Sequence, residues 1–325
     1  MGTPPLRVGT NRALPGEIPY VKPTTYERMA QTVESGDTGG SLHAERSGFP
    51  SSAGRADLHT HTTHSDGALS PYELIRRAHE LGLAAVSITD HDNVGGLDEA
   101  IEWGTSLGVE VITGLELSVT LGDKDVHLLA YFIDHKYQDL LDYLTFFRRE
   151  RLKRAERIVQ KLNKLNVPLR IESVLDQAGV GSVGRPHIAN ALLDEGLIET
   201  YHQAFERYIG SGGPAFEKKY QLTPADAFKL INSAGGLSFL AHPGKYTNEL
   251  ELSTLIKNGL DGIEVVHPSH DEKLQGYYKG LVNQYFLLES GGSDFHGGKK
   301  NDDHTFGTYT IPMQIVEIMR SRLFS

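Results

Sequence analysis

The chain has 325 residues, of which 32 are basic and 42 acidic, giving a formal net charge of −10; apolar residues make up 39%. This is ordinary globular composition, long enough for one large domain or for one domain interrupted by a smaller one. Without a single Cys, disulfides, thiolate metal sites and cysteine nucleophiles are excluded. No apolar run approaches the roughly 20 residues of a membrane span, and the acidic balance argues against a grip on long nucleic acid.

Residues 1–54 are rich in Pro and Gly and read as an extended or disordered arm, with one short helix near Tyr26–Val33. They contain no signal-peptide core, so a cytoplasmic location is expected. Over 55–134 short apolar runs alternate with helical patterns: strand Ala56–Thr60, helix Pro71–Leu81, strand Ala84–Thr89, helix Gly96–Leu107, strand Val109–Gly114 and strand Val126–Ile133. Ser70-Pro71 is a helix start, with Pro at the first helical position. The βαβα rhythm predicts a parallel sheet or barrel with helices outside.

Residues 135–222 break the rhythm and read as a helical insertion capping the substrate. A long helix covers 137–165, and shorter ones lie near Ile171–Ala178, Pro186–Leu192 and Ile198–Tyr208. Over 223–325 the alternation resumes: helix Pro224–Ser233, strand Gly236–Ala241, helix Glu251–Asn258, strand Gly262–Val266, helix Lys273–Gln284 and strand Tyr285–Glu289.

The 15 His, set against this pattern, carry the functional signal. His59 and His61 are two apart on a strand, so both imidazoles leave the same side and form a chelating pair. Asp66 follows in a turn. His91 comes after the second strand, Glu116 after the third, and His127 opens the fourth. His242 follows Leu237–Leu240, and Asp294 and His296 follow the last strand. In parallel α/β folds the strand C-terminal ends are where active sites form. Oxygen and nitrogen donors without thiolate suit Mn²⁺ first, with Fe²⁺ or Zn²⁺ as alternatives. Nine ligands are too many for one ion, and a bridging carboxylate lets them serve two or three. Three divalent ions against Asp66, Glu116 and Asp294 leave a charge of about +3, which favours an anionic substrate and a bound hydroxide.

In this order the motifs Asp57-Leu58-His59-Thr60-His61, Thr89-Asp90-His91, Gly114-Leu115-Glu116, His127, Ala241-His242-Pro243 and Gly292-Ser293-Asp294-Phe295-His296 resemble the PHP (polymerase and histidinol phosphatase) family. The resemblance implies a distorted (β/α)7 barrel with a trinuclear centre. His59, His61, Glu116 and Asp294 would hold one ion; Glu116 would bridge to a second with His127 and His242; Asp66, His91 and His296 would hold the third. The stretch Gly184-Arg185-Pro186-His187-Ile188-Ala189 resembles the inserted module of a bacterial PHP subgroup. That subgroup holds a 3′,5′-nucleoside bisphosphate phosphatase and a 5′-to-3′ exoribonuclease acting on short RNA.

Residue chemistry adds to this. Pro186 opens a helix, leaving free N–H groups and a positive dipole end beside Arg185 and His187, a place for phosphate. Arg148, Arg151, Arg154 and Arg157 recur every three residues on one predicted helix. Arg151 and Arg154 are the candidates to reach a substrate phosphate, the alternative being a solvated face balanced by Glu150 and Glu156. Lys245 is a further phosphate candidate, and His187 or His267 could protonate the leaving oxygen. The expected activity is hydrolysis of nucleotide phosphomonoesters, or of short RNA 5′ ends, by a metal-bound hydroxide. The expected partners are small phosphorylated anions, not long nucleic acid or a membrane. Alternatives are a histidinol-phosphate or other metabolite phosphatase and a non-catalytic metal-stabilised binding module.

Overall fold

In the computed structural model the described residues are 54–324, except 123, 180, 245 and 246. The sequence-predicted arm and its short helix therefore lie outside the described residues. Eight strands form one sheet in the order β7-β6-β5-β4-β3-β2-β1-β8. They are β1 Arg55–Thr60, β2 Ala85–Ile88, β3 Glu110–Leu121, β4 Lys124–Tyr131, β5 Leu237–Leu240, β6 Gly262–Val266, β7 Leu288–Gly291 and the two-residue β8 Ile311–Pro312. Helices α1 Pro71–Glu80 and α2 Leu97–Leu107 follow β1 and β2. Ser70 caps α1 and exchanges hydrogen bonds with Glu73, so two otherwise orphaned donors are satisfied. Helices α7 Pro224–Ser233, α8 Glu249–Lys257, α9 Glu272–Tyr285 and α10 Met313–Arg322 cover the second half.

The sheet curls into a nearly closed barrel. Past β7, Phe295 pairs with Thr60, and the His61 N–H donates to the Phe295 carbonyl at 2.9 Å. Gly292 makes this closure possible: a Cβ there would overlap the backbone of His59. Neighbouring strands are parallel except for β8, which runs antiparallel to β1, and β4, which runs antiparallel to both β3 and β5. The sequence rhythm alone does not predict this reversal. It brings the N-terminal part of β4, with His127, to the same barrel end as the C-terminal ends of its neighbours.

Three element predictions need correction. Gly114, read as the end of a strand, lies inside β3; a side chain there would collide with Ser87 and Ile88 of β2, so Gly marks close approach rather than a stop. Tyr285 ends α9 instead of opening a strand, because Phe286 turns left-handed (φ 54°) and β7 starts at Leu288. The helix predicted over Ile198–Tyr208 begins at Tyr201 and finishes as a π-turn over Phe205–Ile209. Helix α10 was not foreseen; its Met313, Val316 and Met319 plug one end of the barrel beside Ala56 and Ile311.

Between β4 and β5 lie α3 Gln138–Lys164, α4 Ile171–Ala178, α5 Arg185–Asp194 and α6 Tyr201–Ala204. Helix α3, 27 residues long, serves two cores. Its Leu140 and Leu144 join the barrel cluster of Leu115, Leu117 and Leu240. Its Ile158, Val159 and Leu162 join a separate cluster with Val174, Ile188 and Leu192 of the next helices. Each such Leu or Ile buried stabilises by about 1.5–3 kcal/mol.

Candidate metal centre

The barrel end carrying the strand exits gathers all nine candidate ligands. Glu116, wholly buried on β3, is central. Its Oε2 lies 3.3 Å from His59 Nε2, 3.2 Å from His61 Nε2 and 3.2 Å from His91 Nδ1. Its Oε1 lies 2.7 Å from His127 Nδ1 and 3.0 Å from His242 Nε2. One carboxylate thus faces five imidazoles from four parts of the chain. Asp294 Oδ1 is 3.1 Å from His61 Nε2 and 3.3 Å from His59 Nε2. On the other side Asp66 Oδ1 is 3.2 Å from His296 Nε2 and 3.9 Å from His91 Nε2.

Donor atoms converge in three groups: His59, His61, Glu116 and Asp294; His91, Glu116 and His127; and His61, Asp66, His91 and His296. The buried atoms His61 Nε2, Asp66 Oδ1, His91 Nδ1 and His127 Nδ1 have no hydrogen-bond partner. They lie close to opposite-charge atoms yet do not point at one another. Such lone pairs, aimed at shared points and unsatisfied, fit divalent cations. His61 and His91 are each shared between two of these groups, and the second group joins Glu116 and His127 with His91 where the resemblance implied His242.

The electrostatics agree. Burial pushes His59 and His61 down, but the surrounding carboxylates outweigh it: Glu264, Asp294 and Glu116 hold His59 well above its ordinary value, and Asp294 and Glu116 raise His61 to about 9. A field that holds protons there also holds other cations. His91 goes the other way: burial lowers it to about 3, which leaves it neutral with lone pairs free.

Several surrounding residues were not among the sequence candidates. Glu264, on β6 and fully buried, lies 2.8 Å from His59 Nδ1. Asp90 accepts from Thr62 N, Thr62 Oγ1 and Ser65 Oγ, which fixes the turn carrying Asp66. Lys300 Nζ sits 2.6 Å from His296 Nε2 and 3.5 Å from Asp66 Oδ2. A lone acid in an apolar strand, Gly262-Ile263-Glu264-Val265-Val266, was the one available hint of Glu264.

Beside the centre opens a cleft of about 200 Å³, lined by Asp66, His91 and His127 together with Arg151, Arg154, Arg185, His187 and Lys219. Arg151 Nη2 donates to Asp92 Oδ2 at 2.7 Å and to Ser118 Oγ at 2.9 Å, tying α3 to the barrel. Arg154 Nε donates to the Glu217 carbonyl at 2.9 Å; burial lowers its pKa to about 10, with Arg185 and Arg151 adding like charge. Arg148 and Arg149 are exposed, and Arg157 pairs with Glu217, so only part of the arginine run faces the cleft. At the N-terminus of α5, His187 Nδ1 accepts from Gly184 N at 3.0 Å, leaving the proton of the neutral ring on Nε2. Lys219 pairs with Asp125 at 2.8 Å. His267 Nδ1 accepts from Ser269 N, and its buried Nε2, 3.5 Å from Asp294 Oδ2, has no hydrogen-bond partner. Lys245 lies outside the described residues.

A model of the PHP domain family matches residues 57–216. A 5′-3′ exoribonuclease of Haemophilus influenzae is 33% identical over 74% of this chain and 89% of its own length. The chain belongs to the PHP family. A PHP relative in Chromobacterium violaceum, a 3′,5′-nucleoside bisphosphate phosphatase, is 32% identical over 77% of this chain and 90% of its own. A solved structure from Bifidobacterium adolescentis, described as a metal-dependent phosphoesterase, superposes with a TM-score of 0.73 at 30% identity, covering 82% of this chain and 96% of that one. As a PHP phosphoesterase the protein is a metal-dependent hydrolase of phosphoric esters.

Proposed function

We propose that this PHP phosphoesterase removes phosphate from nucleotidic substrates with a second phosphate nearby: 3′,5′-bisphosphonucleosides or the 5′ ends of short RNA. One observation carries the reading. Asp66, His91 and His127 of the centre and the cations Arg154, Arg185 and Lys219 line the same cleft, so one small substrate can reach both. Three divalent ions, Mn²⁺ first, fit the donor set, and when bound they supply charge neutralisation and an activated water.

The protein's own residues do the rest. Arg185 offers a planar fork for the second phosphate. His187, below its ordinary pKa through burial, presents a neutral Nε2–H donor rather than an acid. His267 lies beside Asp294. Helices α3 to α6 roof the cleft as a substrate-capping domain over 135–222, which limits the substrate to something short. Among the described residues no helix is long and apolar enough to cross a membrane, and we place the enzyme in the cytoplasm.

Two substitutions test the reading. His59→Ala should abolish hydrolysis of every phosphoester. Arg185→Ala should lower kcat/KM for a 3′,5′-bisphosphonucleoside by about tenfold to a hundredfold, in line with about 1.5–3 kcal/mol for hydrogen bonds to charged groups, and leave a simple monophosphate nearly unchanged. Equal losses on both substrates would overturn the second-phosphate role.

A further inference from the structure

Glu264 belongs to none of the three ligand groups, yet it is fully buried and aimed at the centre. On β6 its neighbours Ile263 and Val265 face the hydrophobic core, so strand alternation sends the carboxylate into the barrel interior. Both oxygens are used. Oε1 lies 2.8 Å from His59 Nδ1, and Oε2 accepts from His242 N at 2.6 Å. His59 leaves β1 and His242 leaves β5, so one side chain ties ligands from two strands. His242 also holds φ at 25°, a conformation a non-Gly residue adopts only when its surroundings enforce it.

We propose that Glu264 is a positioning residue that sets the affinity of the centre for divalent cations. Its carboxylate accepts a hydrogen bond from His59 Nδ1–H, leaving Nε2 toward Glu116 and Asp294, and it pins the strained His242 backbone so that its Nε2 reaches Glu116. An ionised carboxylate behind a ligating imidazole fixes ring orientation and strengthens the ligand. A purely structural carboxylate would be a poor choice here, since an apolar side chain would avoid the cost of burying charge.

The inference rests on the centre binding metal, and the test separates the two. Mn²⁺ binding to the full chain is measured by equilibrium dialysis for wild type, Glu264→Gln and Glu264→Asp, alongside circular dichroism. Glu264→Gln should keep the fold and weaken the tightest Mn²⁺ binding by about tenfold to a hundredfold, with partial recovery in Glu264→Asp. Wild-type affinity in Glu264→Gln overturns the inference and leaves the metal centre standing; a wild type that binds no Mn²⁺ overturns both. If the variants fail to fold, the Zn²⁺-loaded wild type decides by nitrogen-detected NMR. A proton on His59 Nδ1 supports the inference, and ligation through Nδ1 overturns it.

Discussion

His242, Asp92 and Asp294 hold φ of 25°, 50° and 49°, left-handed values that cost a non-Gly residue about 1–3 kcal/mol. All three sit where a strand gives way to a loop at the metal end of the barrel, and the sharp turn sends each side chain back over the strand ends. The strain is stored where the ligands need direction. Asp66 is different: it is partly exposed and its Oδ1 lacks a hydrogen-bond partner. Asp66→Asn should therefore lower metal stoichiometry in dialysis without lowering the Tm of the metal-free protein. His187 gives a pH test. Burial, with Arg151 and Lys299 nearby, holds it below 6.5, so its contribution to stability is present above 6.5 and is lost as pH falls towards the folded value. His187→Asn should flatten the fall in urea midpoint between about pH 7 and about pH 5; an unchanged slope would refute this. The candidate ligands were legible because spacing and chemistry coincide in them. Glu264, Lys219 and Lys300 were not, since a single charged residue acquires its partner only through long-range contact.

At the scale of elements, the anchor between α3 and the barrel is the group Arg151, Asp92 and Ser118. The Arg151 side chain is 18% exposed and that of Asp92 1%, so this is a nearly buried pair. Removing either partner strands the other, at about 3–5 kcal/mol. Arg151→Ala and Asp92→Ala should each destabilise by that order, and together by much less than the sum. Additive losses in a denaturant double-mutant cycle would show that the pair is not coupled. Most strands and helices were legible from period and caps, and β6 was placed to the residue at Gly262–Val266. The direction of β4 was not, because hydrophobic alternation is the same read either way and only pairing fixes it. The switch from α9 to β7 was missed for a similar reason: Tyr285 and Phe286 favour strands in isolation, while the helix and its left-handed cap overrule them.

Over the whole molecule, the net charge of −10 and a cationic cleft coexist because the charges are segregated. The joining part is α3, which contains neither Gly nor Pro along 27 residues. Lys153 is exposed on it between the two cores. Lys153→Pro should break the helix at a cost of about 3 kcal/mol or more, lower nucleotide hydrolysis strongly, and spare Mn²⁺ binding; loss of metal affinity would mean that the two cores are not separable. The reversal of β4 has one more effect. The chain leaves the barrel at the end remote from the clustered His and carboxylates, so α3 must run back from Gln138 to Arg151, about 20 Å at 1.5 Å per residue, before it reaches the cleft. The headroom above the metals is thus written into the number of residues in one helix. Taking one turn out of α3 should move Arg154 relative to Asp66, His91 and His127, and so change the gap that a substrate with two phosphates must span.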